Sequence, residues 1–272
     1  MKLSCLPVSL FPDIISRKMD LYEWAASARN IGLDAVDMST LFLRSRTRRE
    51  ILDAKTALDR AGMPVAMVTT YPDFADPSPT QRRRELAHTF SDIAAAAELG
   101  ASYVRITAGQ SRTCDIQETL EHIVECFSTC IDFAHEAGVK LVYENHAKPG
   151  AWDRPDFDFD TSIFLQLAEM TQNLDIGINF DTANTLGFGD DPVPVFKTVF
   201  PKVKTIHVAD IRERSQMRYT EIGKGAAPIK EILQIAKGQG FDGLISIEEA
   251  SMNGLNGIAS AAETVRAMWA HI

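Results

Sequence analysis

Alternation with a period of two marks eight short runs of the chain as strands, and between them apolar residues recur every three to four positions, as on helices. The strand-like runs are Leu3–Val8, Leu33–Met38, Val65–Thr69, Tyr103–Thr107, Lys140–His146, Asp175–Asp181, Val203–Val208 and Leu244–Glu248. The helix-like segments are Asp20–Asn30, Thr47–Ala61, Gln81–Leu99, Ile116–Ala137, Thr161–Thr171, Val193–Phe200, Ile229–Lys237 and Asn256–Ile272. Gly32, Gly62, Gly100, Gly138 and Gly238 stand where helices should stop, and Asp115 stands where a cap belongs before Ile116. Regular alternation of the two element types predicts parallel strands covered by helices. No linker or composition break divides the chain, and no G-x-G-x-x-G follows the first strand. The expectation is therefore α/β, one domain over residues 1–272, a single (β/α)8 TIM barrel rather than an open doubly wound sheet.

Side-chain parity carries the next step. In the fifth strand Leu141 and Tyr143 share one side, while Val142, Glu144 and His146 share the other. In the sixth, Ile176, Ile178 and Phe180 oppose Gly177, Asn179 and Asp181. In the seventh, Ile206 and Val208 oppose Thr205 and His207, and in the eighth, Ile245 and Ile247 oppose Leu244, Ser246 and Glu248. The bulky apolar sides must meet the outer helices, where there is apolar surface to bury them. The small and polar sides then face the barrel axis, so four adjacent strands deliver Glu144, Asp181, His207 and Glu248 to the C-terminal rim, where barrel enzymes keep their sites.

Three converging carboxylates without a cation repel one another. A divalent metal removes that penalty and accounts for the histidine among them; mixed oxygen and nitrogen donors suit Mn, Zn, Co or Mg and do not choose between them. The plainer alternative is three separate acids and a histidine, each bonded locally at a loop entrance.

Composition narrows the partners. With 272 residues and 45% hydrophobic content the chain can bury a large core. A net charge of −9 argues against nucleic acid, whose phosphates select a positive surface. No run approaches the ~18 apolar residues of a membrane span, and the start shows no apolar leader pattern. The cysteines Cys5, Cys114, Cys126 and Cys130 show no CxxC spacing and read as reduced thiols of a cytoplasmic protein. No membrane partner is expected, and the oligomeric state, homo-oligomer included, stays open.

The segments Val142-Tyr-Glu-Asn-His146, Gly177-Ile-Asn-Phe-Asp-Thr-Ala-Asn184, Ile206-His-Val-Ala-Asp210 and Gly243-Leu-Ile-Ser-Ile-Glu248 resemble the xylose isomerase-like barrel superfamily, and most nearly its sugar phosphate isomerase/epimerase branch. Ile31-Gly-Leu-Asp-Ala-Val-Asp-Met38 resembles that family's second strand, with Asp37 where glutamate is usual, and Gly223-Lys-Gly225 also fits. The resemblance covers essentially the whole chain. It implies one divalent ion held by Glu144, Asp181, His207 and Glu248, with Glu144 and Glu248 flanking a small carbohydrate substrate and doubling as acid and base. Removing a proton beside a carbonyl leaves an enediolate, which a cation stabilises. The function expected first is a metal-dependent isomerase or epimerase of a small sugar, sugar phosphate or hydroxy-ketone. The alternatives are a dehydratase or lyase on a keto-polyol or oxidised glycoside, and a non-catalytic carbohydrate-binding barrel that retains the metal.

One departure from the epimerase pattern matters. Asn184 stands three residues after Asp181, where those enzymes often carry histidine, and an amide cannot serve as a base. The endonuclease branch needs further histidines, and Thr69-Thr70-Tyr71 and Thr107-Ala108-Gly109 offer none. Substrate-binding candidates are His146, Asn184, Arg105, Arg212, Arg214, Lys148 and Trp152. Each has a bland counterpart: a local hydrogen bond for His146, solvated loop charges for the arginines, packing or a subunit contact for Lys148 and Trp152.

Overall fold

The computed structural model describes residues 1–112, 115–148 and 152–272; Cys114 lies outside the described residues. Eight strands appear in the expected order: β1 (Lys2–Leu6), β2 (Val36–Ser39), β3 (Val65–Thr69), β4 (Tyr103–Ile106), β5 (Lys140–Glu144), β6 (Gly177–Asp181), β7 (Val203–Val208) and β8 (Leu244–Glu248). All seven ladders are parallel, in the order β1-β8-β7-β6-β5-β4-β3-β2. Among the described residues no ladder joins β1 to β2. That seam is stitched by Asp34, whose backbone N–H donates to Leu3 O at 2.9 Å and whose carboxylate accepts from Leu3 N–H at 2.9 Å. The result is a nearly closed (β/α)8 TIM barrel.

Eight principal helices form the outer ring: α1 (Leu21–Ile31), α2 (Arg48–Ala61), α3 (Pro79–Leu99), α4 (Ile116–Ala137), α5 (Thr161–Met170), α6 (Pro192–Val199), α7 (Ile229–Gly238) and α8 (Gly254–Ala270). Their starts are chemically specified. Asp20 and Glu23 make a reciprocal capping box, and Thr47, Ser78 and Asp115 each accept an N–H from the third helical residue. Gly62 and Gly138 close α2 and α4 in the left-handed region, at φ 67° and 75°. Gly238 does not close α7: it is the last helical residue, and the left-handed turn falls at Gly240, with φ 75°.

The first strand also stops earlier than its hydropathy suggests. Pro7 has no N–H to give a ladder, so the chain turns at Leu6 into short helical segments at Val8–Leu10 and Phe11–Ile15. A further short helix, Asn184–Phe188, follows β6 directly. No described helix is long and apolar enough to cross a membrane.

Parity holds. Leu141, Tyr143, Ile178, Phe180, Ile206, Ile245 and Ile247 join the large core between sheet and helices, whereas Val142 and Leu244 join Met67, Ala35 and Ala66 in a separate small cluster inside the barrel. The interior then turns polar toward the C-terminal end. Asp37, Thr69, Arg105, Glu144, Asn179, Thr205, His207 and Ser246 are all buried there. A barrel interior filled with such groups, instead of branched aliphatics, spends stability on chemistry.

Candidate metal centre

Strand register assembles the four ligand-type residues. Asp181 on β6 lies directly opposite His207 on β7, and Glu144 and Glu248 end the strands on either side. One ligand atom from each of Glu144, Asp181, His207 and Glu248 lies within 4.8 Å of all the others. The His207 imidazole presents Nδ1 to this cluster, 2.7 Å from Glu248 Oε2 and 3.2 Å from Glu144 Oε1. Glu144, Asp181 and His207 are fully enclosed, while the Glu248 side chain keeps 12% of its surface open to the mouth.

Asp181 is the most rigidly held. Its Oδ1 accepts the backbone N–H of Ala183 at 2.8 Å and of Asn184 at 2.7 Å. Asn145, the residue after β5, clamps its peptide, donating from Nδ2 to Asp181 O and accepting from Asp181 N–H. Glu144 is tied on its other side: Arg105 Nε approaches Oε2 to 2.9 Å, an ion-pair contact whose angle lies outside hydrogen-bond geometry. The guanidinium also donates to Thr70 O at 3.1 Å and lies 4.9 Å from the centre of the Tyr71 ring.

The electrostatics are those of a site shaped for a cation. Burial pushes the Asp181 carboxyl well up, and the charges of Glu248 and Glu144 add to it. Burial alone would lower the His207 pKa, but Glu144, Asp37 and Glu248 together raise it well above the usual histidine range. Glu144 goes the other way: although burial opposes it, His207 and Arg105 hold its carboxyl well below the usual range. Glu144 Oε2 and Glu248 Oε2 are buried without a hydrogen-bond donor. Carboxylate oxygens of Glu144, Asp181 and Glu248 that converge with one His207 ring nitrogen within 4.8 Å, Glu248 Oε2 among them without a hydrogen-bond donor, fit a divalent ion.

The structure treats the other candidates unequally. His146 is buried beside Glu144, and its Nδ1 lies 2.6 Å from Asp156 Oδ2. Asn184 is buried with its side-chain oxygen unpartnered. Arg105 is buried, with its guanidinium engaged with Glu144. Arg212 and Arg214 are exposed, and Arg214 Nε donates to Gly189 O at 2.6 Å. Lys148 is exposed. Trp152 is half-buried and lines a cavity of about 500 Å³ with Thr40, Leu41, Tyr71, His88 and Asp92, on the β2–β3 side of the mouth.

Several residues lie where strand parity gives no hint. Asp156, the partner of His146, sits in the loop after β5, followed by Asp158, both of whose carboxylate oxygens are buried and unpartnered. Asp73 accepts from Gln110 N and Nε2, pairs with Arg112, and so ties the β3 loop to the β4 loop. Phe157 N–H donates to Gly109 O at 2.7 Å, which adds the β5 loop. Asp210 explains Gly223-Lys-Gly225: its carboxylate accepts the N–H groups of Gly223, Gly225 and Ala227. A Cβ on Gly225 would stand 2.2 Å from Asp210 Oδ1.

Comparison with known proteins places this geometry. A model of the xylose isomerase-like TIM barrel matches residues 25–269. An inosose dehydratase of Lacticaseibacillus casei is 26% identical over 133 residues, covering 43% of this chain and 42% of that protein. The chain thus spans less than half the length of that curated relative. Among solved structures, a D-tagatose 3-epimerase-like protein superposes with a TM-score of 0.80 at 19% identity, over 100% of this chain and 98% of its own. The zinc-bound IOLI protein superposes with a TM-score of 0.78 at 15% identity, over 100% and 99%. With nearly all of its length matched by the family model, and with the same barrel around a four-residue candidate metal site, the chain belongs to the xylose isomerase-like TIM barrel family.

Proposed function

We propose that the chain is a divalent-metal-dependent enzyme that removes the proton beside the carbonyl of a small keto-polyol and expels water from the resulting enediolate. A bound divalent ion would supply electrophilic stabilisation of the negative charge that develops on the substrate oxygens. The observation that carries the reading is the asymmetry between the two glutamates. Glu144 is fully buried and committed to Arg105 and His207, which keep it ionised and unavailable as a proton carrier. Glu248 is the one open to the mouth, and it is the base.

A second proton-handling group stands nearby. His146 is oriented by Asp156 through Nδ1, and no described protein atom hydrogen-bonds its Nε2. An imidazole so held can give a proton to a departing hydroxyl, which an elimination requires and an amide at position 184 cannot do. In the elimination, Glu248 takes the C–H proton, the electron pair passes through the enediolate to form the C=C bond, and the C–O bond breaks as His146 protonates the leaving oxygen, which departs as water. Asn184, with its unpartnered amide oxygen, and Arg105 bind substrate hydroxyl or carbonyl oxygens. Lys148, Trp152, Arg212 and Arg214 stand on the loops after β5 and β7 and would meet the remainder of the substrate. The inosose dehydratase relative is consistent with this class of chemistry.

The second reading is an isomerase or epimerase. It is favoured by the placement of Glu144 and Glu248 on the same His207 nitrogen, which would put two carboxylates across a bound ketose. One experiment separates the two. Metal-loaded protein is incubated in deuterated water with a panel of inososes, ketoses and 3-keto sugars and followed by NMR. Elimination gives an enone or its diketone tautomer with loss of a hydroxyl. Deuterium exchange or inversion without loss of water supports the isomerase, and neither outcome with any metal leaves a binding protein.

A further inference from the structure

We infer that Asp37, acting through His207, is a positioning residue of the metal centre; the inference rests on the metal-site reading above. His207 has only two ring nitrogens to offer, and the structure assigns them opposite tasks. Nδ1 faces the carboxylates of Glu144 and Glu248. Nε2, on the far edge of the ring, is buried without a hydrogen-bond partner, and Asp37 Oδ2 lies 3.8 Å from it.

Asp37 is an unusual group to find there. It is fully buried and arrives from β2, across the barrel from β7. Its Oδ2 accepts a hydrogen bond from Ser246 Oγ at 2.5 Å, and its Oδ1 has no partner. Ser246 is in turn the direct register partner of His207 on the neighbouring strand. A serine beside the histidine thus holds a carboxylate in front of the histidine's unpartnered nitrogen. A carboxylate is costly to bury for packing alone, and an aliphatic residue would fill the space without that cost.

The chemistry follows from the imidazole. For Nδ1 to offer a lone pair to a cation, the ring proton must reside on Nε2, and a carboxylate facing Nε2 fixes that tautomer, orients the ring and makes Nδ1 a stronger donor. Ser246 keeps the carboxylate aimed along the ring edge. Aspartate leaves the pair at 3.8 Å, and one further methylene in glutamate would bring the oxygen toward hydrogen-bond range.

The test measures metal affinity directly, by calorimetric titration of Mn²⁺, Co²⁺ and Zn²⁺ into the metal-free full chain, with circular dichroism to confirm folding. Asp37→Asn should weaken binding by roughly 10- to 100-fold, Asp37→Glu should match or exceed the parent, and Ser246→Ala should fall between. Long-range ¹H–¹⁵N spectra of the zinc form should show His207 as the Nε2–H tautomer in the parent. In Asp37→Asn the Nε2–H signal should broaden through faster exchange. Equal affinity in parent and Asp37→Asn overturns the inference, as does a zinc-loaded parent with the proton on Nδ1. If Asp37→Asn does not fold, Ser246→Ala decides alone, and parent-like affinity there overturns it. Absence of metal binding in the parent would instead overturn the metal-site reading, which keeps the two failures distinct.

Discussion

Arg105 Nε stands 2.9 Å from Glu144 Oε2, and both side chains are essentially without solvent exposure, at 1% and 0%. Neighbouring strands β4 and β5 bring this ion pair to the side of the cluster away from His207. In the proposed reaction it divides the work of the two glutamates: Glu144 is held ionised as a fixed negative charge, and Glu248 is left to move protons.

Removing the cation from that pair should be severe. Arg105→Met leaves a buried, unpaired carboxylate and is expected to destabilise the fold by about 3–5 kcal/mol, read from urea unfolding at neutral pH. Adding Glu144→Gln in the same chain should recover part of the loss. The pH dependence has a definite sign. Because the folded Glu144 pKa is depressed, its stabilisation is present above the unfolded value of about 4.3 and disappears as pH falls through the lower folded value. The difference in stability between the metal-free parent and Glu144→Gln should therefore shrink below about pH 4.

Glu248→Gln should abolish turnover while sparing the fold. A fall in kcat of roughly 10²–10⁴ is expected for loss of a general base, with an unchanged circular dichroism spectrum. Full activity in this variant would remove Glu248 from the role assigned to it.

The three thiols among the described residues should be inert in the native protein. Cys5, Cys126 and Cys130 are buried and free, and burial pushes the Cys126 thiol up to about 11 and Cys130 higher still. Iodoacetamide at pH 8 should leave all three unmodified in the folded chain and label them in urea, as read by peptide mass spectrometry.

Gly225→Ala tests the loop after β7 independently of the metal. The added methyl would meet Asp210 Oδ1 at 2.2 Å and Ile211 O at 2.3 Å, one of them backbone. Relief requires the Asp210 clamp to open, so a loss of about 1–3 kcal/mol is expected, measured by thermal unfolding.

Much of this was legible in the sequence because a strand encodes its two faces in alternate residues. Glu144, Asp181, His207 and Glu248 could be placed at one rim from the company they keep: Leu141 and Tyr143, Ile178 and Phe180, Ile245 and Ile247 all point the other way. The caps were equally local, since Asp115 and Gly138 act within a few residues of themselves. What escaped depends on pairing across the barrel or within irregular loops. Asp156 reaches His146 across 10 residues of non-repeating chain, Asn145 finds Asp181 on the next strand, and Ser246 meets Asp37 from the opposite end of the sequence. Charge and polarity named these residues as costly to bury, but no period marks their partners.

The missing ladder between β1 and β2 gives the cylinder a natural zipper line. Leu3 and Asp34 stitch it with two hydrogen bonds where every other boundary has a ladder, so amide hydrogens along this line should trade with solvent before those of the remaining staves. The four candidate ligands sit on β5 through β8, with β1 standing between β8 and that line. Opening at that joint would leave the ladders that join β5 through β8 intact, while Asp37 on β2 borders the joint itself.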